Sequence, residues 1–141
     1  MSSPASPTRV VIVPCSGIGK TYGSVSRAAA YYLTEDLRPE QTRLVALSRL
    51  VLGDEAAREA VASSPAVTID GCKLACASHM VRQSGGTLAQ EISVLEVYRR
   101  YRQLKPQGIA ELNEAGEQLA QALAEEIASL VDPLTRGGEN G

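Results

Sequence analysis

The segment that most restricts the fold is a run of four β-branched residues, Val10 to Val13. Because the run shows no alternation of apolar and polar residues, it predicts a strand buried on both faces, as in a parallel sheet. Pro14 ends the strand, and a glycine-rich stretch from Cys15 to Gly23 follows. Ser24 to Leu37 then has apolar residues at helical spacing and stops at Arg38-Pro39. A strand, a loop and a helix in this order predict the first unit of an α/β domain.

The middle of the chain repeats this alternation. Arg43 to Leu47 and Val67 to Asp70 predict two further short strands. Asp54 to Ala62 predicts an alanine-rich helix between them, capped by Asp54. Cys72 to Gln83 predicts the helix that follows the third strand, since a Ser-Gly-Gly sequence comes directly after it.

The C-terminal half is less regular at first. Residues 90–97 fit a fourth strand, but the apolar residues from Val94 onward also fit a helix face, and both interpretations stay open. Apolar residues then recur every three or four positions from Ile109 to Val131. This spacing predicts a long amphipathic helix near the C-terminus.

The fold class follows from these elements and from the size of the chain. A length of 141 residues with 44% hydrophobic and 21% charged residues is typical of one globular domain. We predict a single three-layer α/β domain over residues 9–132, with about four parallel strands in the order 2-1-3-4 and helices on both faces. Residues 1–8 and 133–141 are small, polar or glycine-rich, and we expect both to be disordered.

Charge and hydropathy exclude several classes of partner. Fourteen Lys and Arg against sixteen Asp and Glu give a net charge of −2, so no overall positive field attracts nucleic acid. No apolar run reaches the ~20 residues that span a bilayer, and Met1 to Thr8 lack the regions of a signal peptide. We therefore expect a cytoplasmic protein that binds neither nucleic acid nor membrane, and no motif indicates a particular protein partner.

The three cysteines carry the chemical signal. In a reducing cytoplasm they are expected to remain thiols. Cys15 follows the first predicted strand, and Cys72 follows the third. In the order 2-1-3-4 these strands are neighbours ~4.8 Å apart, so the two cysteines meet at the carboxyl edge of the sheet, where such folds bind ligands.

A second cysteine and the single histidine follow Cys72 at helical spacing. Cys72, Cys76 and His79 are separated by four and then three residues, which places them on one face of the predicted helix. Thiolate and imidazole are ligands that Zn²⁺ prefers in tetrahedral sites. The predicted metal ligands are therefore Cys15, Cys72, Cys76 and His79, with Asp70 or water as alternatives for the fourth position. Asp70 has a second, structural interpretation, as an acceptor of hydrogen bonds from the following turn.

Other kinds of chemistry fit less well. The Gly-Lys-Thr that ends at Thr21 is typical of a phosphate-binding loop, but the first glycine of that motif falls on Pro14, which has no N–H to donate. A cysteine at the end of the first strand is also found in arsenate reductases and small phosphatases, where an arginine follows it six residues later. The corresponding residue here is Thr21, which cannot hold an oxyanion through two hydrogen bonds as arginine does. No residue is assigned as catalytic. A thiol redox enzyme, with Cys15 or Cys72 as nucleophile and Cys76 as resolving thiol, remains the main alternative, followed by a scaffold whose cysteines only pack.

Several segments together resemble one protein family. They are Val13-Pro14-Cys15-Ser16-Gly17, Gly23-Ser24-Val25-Ser26-Arg27-Ala28-Ala29, Leu44-Val45-Ala46-Leu47, Gly53-Asp54-Glu55-Ala56-Ala57-Arg58, and Ile69-Asp70-Gly71-Cys72 through Cys76-Ala77. In this order, from about Arg9 to Arg82, they are similar to the DGC domain family, which is described as zinc-binding on the basis of four cysteines. The resemblance implies that three of these are Cys15, Cys72 and Cys76. The fourth falls on Ala46, which implies an open position in the metal shell.

Overall fold

The computed structural model describes residues 9–15, 21–71, 75–108 and 111–137. Within them the chain forms a four-stranded sheet in which every pair of neighbouring strands is parallel. The strands are β1 (Val10–Pro14), β2 (Thr42–Leu44), β3 (Pro65–Asp70) and β4 (Thr87–Ser93). Their order across the sheet is β2-β1-β3-β4. The predicted α/β class and strand order are confirmed.

Helices cover both faces of this sheet. They are α1 (Thr21–Tyr31), α2 (Leu47–Val51), α3 (Glu55–Ser63), α4 (Cys76–Gln83), α5 (Val94–Arg100) and α6 (Glu114–Gly137), and a π-helical turn (Tyr32–Leu37) extends α1. Over the part of the chain that the structure describes, none of them combines the length and hydrophobicity needed to cross a bilayer.

The central strand β1 shows how the layers form. All five of its residues are buried. Val10 and Ile12 pack with the apolar faces of α1, α5 and α6, whereas Val11 and Val13 pack with α2, α3 and α4. Because successive side chains of a strand point to opposite faces, a continuous apolar run is what a sheet covered on both sides requires. The predicted burial of this run is confirmed.

Some element boundaries differ from those predicted from the sequence. β2 ends at Leu44, although Val45 N–H still donates to the Ile12 carbonyl at 2.9 Å. Leu47, predicted in this strand, instead begins α2. Its buried side chain packs on the face of the sheet that α2, α3 and α4 cover. The two interpretations of residues 90–97 are each right in part, because β4 ends at Ser93 and α5 begins at Val94.

Helix ends follow local side-chain chemistry. Asp54 caps α3 as predicted: its carboxylate accepts a hydrogen bond from Ala57 N–H at 2.9 Å. This bond, assisted by the Arg49 guanidinium, lowers the pKa of the Asp54 carboxyl. The long C-terminal helix begins later than the periodicity predicted, at Glu114, after Asn113 accepts a bond from Gly116 N–H at 2.8 Å. It continues to Gly137, five residues past the boundary predicted at residue 132.

The connections create a topological switch between β1 and β3. From β1 the chain passes through α1, on one face, to β2. From β2 it passes through α2 and α3, on the other face, to β3 on the far side of β1. In open parallel sheets a crevice forms at the carboxyl ends of the strands where the direction reverses. The segments that follow β1 and β3 therefore flank the expected ligand site.

Candidate functional site

Cys15 lies at the carboxyl edge of the sheet, directly after β1. Pairing between Pro14 and Ile69 brings this edge against the end of β3, and Cys15 N–H donates to the Ile69 carbonyl at 2.8 Å. Cys15 is only 4% exposed. The backbone of Cys15 is thus bonded to Ile69, the residue before Asp70. The predicted convergence of the first and third strands is confirmed as far as Gly71, and Cys72 lies outside the described residues.

Asp70 is buried, with 4% exposure, and both of its carboxylate oxygens are used. Oδ1 accepts from Ala77 N–H at 2.9 Å, and Oδ2 accepts from the Ser78 hydroxyl at 2.7 Å. Because the Ser78 proton goes to Asp70, the Thr68 hydroxyl, 2.7 Å from Ser78 Oγ, donates to Ser78 in turn. Asp70 therefore caps the first turn of α4, in the structural role that the sequence allowed.

Gly71 has to be glycine because another backbone passes close by. A Cβ at this position would lie 2.8 Å from the carbonyl carbon and oxygen of Tyr22 and 2.9 Å from Gly23 N. The same contact region includes the buried Ser26 hydroxyl of α1, which donates to the Ile69 carbonyl at 2.7 Å. The start of α1 is thus packed directly on the end of β3.

The helix that carries the second cysteine begins later than predicted. α4 starts at Cys76, not Cys72. Ala75, just before it, has a left-handed backbone (φ 50°, ψ 47°), which interrupts a right-handed helix, and the Asp70 cap fixes the start of α4. The prediction that Cys72 and Cys76 share one face of a continuous helix is therefore wrong, because Ala75 between them is not helical.

The predicted ligands fall into three groups. Cys15 and Cys76 are reduced thiols at the carboxyl edge of β1 and in the first turn of α4, respectively. His79 lies one turn further along α4 and is exposed. Cys72 and the predicted loop residues 16–20 lie outside the described residues. Within the described ranges no group of three or more His, Cys, Asp or Glu side chains is arranged to hold a metal ion.

Ala46, the position of the family's fourth cysteine in the resemblance, lies at the same edge of the sheet. It follows β2 by two residues, and β2 pairs with β1. Ala46 and Pro14 line one cavity of about 230 Å³, together with Arg27 of α1. The ends of β2, β1 and β3 therefore lie side by side. Ala46 follows β2, Cys15 follows β1 and Gly71 follows β3.

Sequence reasoning missed the polar residues that hold this edge together. Ser26, Thr68 and Ser78 are each 0% exposed. Their signal was a hydroxyl residue inside an otherwise apolar segment, as in Val67-Thr68-Ile69. A buried hydroxyl needs a hydrogen-bond partner, so such residues mark buried polar contacts even where the partner is far away in sequence.

Removing the Asp70 cap should destabilise the fold. Asp70→Ala leaves Ala77 N–H and the Ser78 hydroxyl without their acceptor in a buried region, and we expect a loss of about 2 kcal/mol in the free energy of unfolding. Urea denaturation followed by circular dichroism measures this. Asp70→Asn is the matched control, since its carbonyl oxygen can still accept from Ala77 N–H, and it should lose clearly less. Equal losses in the two variants would contradict the capping role.

Adding one methyl group at Gly71 should also be costly. In Gly71→Ala the new Cβ meets the backbone of Tyr22, which cannot rotate away, so we expect a loss of about 1–3 kcal/mol. Ala75→Gly serves as the control, because it relieves a left-handed backbone four residues later and should be neutral or stabilising by up to ~1 kcal/mol. Chemical denaturation compares the two. A neutral Gly71→Ala would mean that α1 does not press on the end of β3.

Comparison with known proteins identifies the family. The family model described as "DGC domain" matches residues 11–128, well over half of the chain. The match extends beyond the segments that carried the resemblance and includes β4, α5 and much of α6. A search of curated proteins found no match, and a search of solved structures found none either. The match covers the strand end that bears Cys15, the Asp70-Gly71 corner and the first turn of α4, and the chain therefore belongs to the DGC domain family.

Proposed function

We propose that this DGC domain binds Zn²⁺, or another thiophilic metal ion, through the thiolates of Cys15, Cys72 and Cys76. The observation that carries the proposal is the 2.8 Å bond from Cys15 N–H to the Ile69 carbonyl. It fixes Cys15 beside the strand end whose next residues in sequence are Asp70, Gly71 and Cys72. Cys15 therefore lies beside the strand that leads into Cys72, 57 positions later in sequence, and this supports the proposal.

The chemistry of the available donors suits such an ion. Thiolates are soft ligands and select zinc and similar metals over magnesium or calcium. Both Asp70 oxygens are occupied in capping α4, which leaves the sulfur atoms as the main donors. Cys76 is the first residue of α4. When bound, the metal would link the ends of β1 and β3 to the first turn of α4.

The fourth ligand distinguishes this chain from a closed four-sulfur site. Ala46 has no donor atom at the position of the family's fourth cysteine. His79, exposed one turn along α4 from Cys76, is one candidate for the open position, and water or a substrate is the other. Structural zinc sites are closed by four protein ligands, whereas catalytic sites keep one position for a water or substrate.

The same thiols define the alternative function, a thiol redox enzyme. In that case two of the cysteines are oxidised to a disulfide while an oxidant is reduced, with Cys15 or Cys72 as nucleophile and Cys76 as resolving thiol. Both functions need reduced cysteines, so both fit the reducing cytoplasm. Neither involves nucleic acid or a membrane. A scaffold in which the thiols only pack predicts neither metal nor a disulfide.

The metal proposal predicts coupled losses of zinc and stability. Cys15→Ser, Cys72→Ser and Cys76→Ser should each lose most of the zinc found in anaerobically purified protein. The parent should lose about 2.7 kcal/mol of stability when free zinc falls from 100 times Kd to zero, because metal that binds only the folded state stabilises it. Elemental analysis, a thiol count and thermal unfolding with and without a chelator measure this.

The chelator also provides the control. It should lower the melting temperature of the parent and leave that of Cys72→Ser unchanged. A parent that carries no zinc, and whose melting temperature does not respond to added zinc, would contradict the proposal. A mixed disulfide trapped by Cys72→Ser would favour the redox enzyme.

Restoring the family's fourth cysteine should tighten metal binding. Ala46 lies at the edge beside β1, so the thiolate of Ala46→Cys should replace water or a weakly held imidazole. We expect zinc affinity to rise at least ~10-fold, or ~1.4 kcal/mol. Competition with a chromogenic chelator compares Ala46→Cys, His79→Ala and the parent. If Ala46→Cys binds no tighter while His79→Ala loses affinity, His79 already fills the fourth position.

A further inference from the structure

A cavity of about 240 Å³ lies between the end of β4, α5 and α6. It is at one side of the sheet, because β4 is the last strand in the order β2-β1-β3-β4. Its apolar lining consists of Ile92, Val97, Leu123, Ile127 and Leu130. Val97, Leu123 and Ile127 belong to the core and are at most 3% exposed. Mostly apolar walls with a few polar groups are typical of sites that bind small molecules.

Glu126 of α6 brings an incompletely paired carboxylate to this lining. Its Oε1 forms an ion pair with Arg100 Nη1 at 2.8 Å. Its Oε2 is buried, and in the part of the chain that the structure describes it is the only buried side-chain nitrogen or oxygen without a hydrogen-bond partner. A carboxylate has about four lone-pair sites, so the ion pair with Arg100 does not exhaust it. A buried acceptor without a donor costs free energy, which a ligand that brings a donor recovers.

A small rotation brings this buried oxygen to a donor in the cavity. The last torsion of a glutamate side chain is broad and roughly two-fold, so the carboxylate turns at little cost. The side chains of Glu126 and Arg100 are 31% and 60% exposed, so both have room to adjust while their ion pair persists. Glu126 can therefore hold Arg100 with one oxygen and a ligand with the other.

The charges of the lining favour a cation. Glu91 and Glu96 line the cavity together with Glu126, and Arg100 is the only cation among the described lining residues. Glu91 and Glu96 each pair with an arginine that does not line the cavity. Both of these pairs are largely exposed, and exposed pairs contribute only weakly. Three carboxylates against one guanidinium therefore attract an ammonium group and repel an anion.

We propose that this cavity binds a small primary amine with an apolar body. The ammonium group donates to Glu126, and the apolar body lies against Val97, Leu123 and Ile127. The volume equals about eight water molecules at ~30 Å³ each, which suits a compact aliphatic amine. The proposal goes beyond metal binding, because none of the lining residues is a proposed metal ligand.

Isoamylamine is a suitable probe for the full-length chain, because it combines one ammonium group with a branched aliphatic body. We expect saturable binding with a Kd on the order of 1 mM, which is reasonable for about six non-hydrogen atoms. Titration followed by protein NMR chemical shifts measures this. Glu126→Gln keeps the shape of the side chain and removes its charge, and it should weaken binding at least ~10-fold. Glu125→Gln, at the neighbouring exposed position of α6 that does not line the cavity, is the matched control and should bind as the parent does.

A second variant and two further probes keep the proposal falsifiable if Glu126→Gln folds poorly. Leu130→Trp, at a half-buried position of the lining, should fill much of the cavity and abolish isoamylamine binding. Isoamyl alcohol, which has the same shape without the charge, should bind at least ~10-fold more weakly than the amine. The amino acid leucine, which is isoamylamine with an added carboxylate, should also bind more weakly. Unchanged binding in either variant, equal affinity for the alcohol, or stronger binding of leucine would each overturn the proposal, and none of these outcomes bears on zinc content.

Discussion

The backbone carbonyl of Ile69 holds together the end of β1, the end of β3 and helix α1. It accepts the N–H of Cys15, which continues the pairing of β1 with β3, and it also accepts the hydroxyl of Ser26 from α1. A carbonyl oxygen has two lone pairs, so one atom can satisfy both donors. These bonds fix the end of β1, the end of β3 and the first helix relative to one another. The position of Cys15 depends on this junction, because its backbone N–H donates to the Ile69 carbonyl.

The Asp-Gly corner after Ile69 acts through structure. Asp70 binds the first turn of α4 with both carboxylate oxygens, and Gly71 allows the backbone of Tyr22 to approach closer than any side chain would permit. An aspartate and a glycine are thus needed whether or not the protein binds a metal. Cys15 is buried at the end of β1, but another small residue could fill the same space, so packing alone does not explain a cysteine there.

Aliphatic packing makes the arrangement possible. The protein has neither Phe nor Trp, and its core consists of Val, Ile, Leu and Ala on the two sides of the sheet. Small side chains allow helices and strands to approach closely, as at Gly71, and fixed backbone positions are what a binding site needs. Ala46, which follows β2, is also small. A cavity lined in part by Ala46 and Arg27 lies at the ends of β1 and β2.

The sequence by itself determined the layers, the strand order and the edge of the sheet at which Cys15 lies. These features depend on local patterns, such as the uninterrupted Val10 to Val13 run and the alternation of strands with helices, and on general rules of connection. Only the tertiary structure decided where α4 begins, which groups Asp70 binds and why position 71 is glycine. Each of these results from contact between residues distant in sequence, as between Gly71 and Tyr22 or between Ser26 and Ile69. Local periodicity contains no information about such contacts, because the partner is chosen by how the packed layers meet.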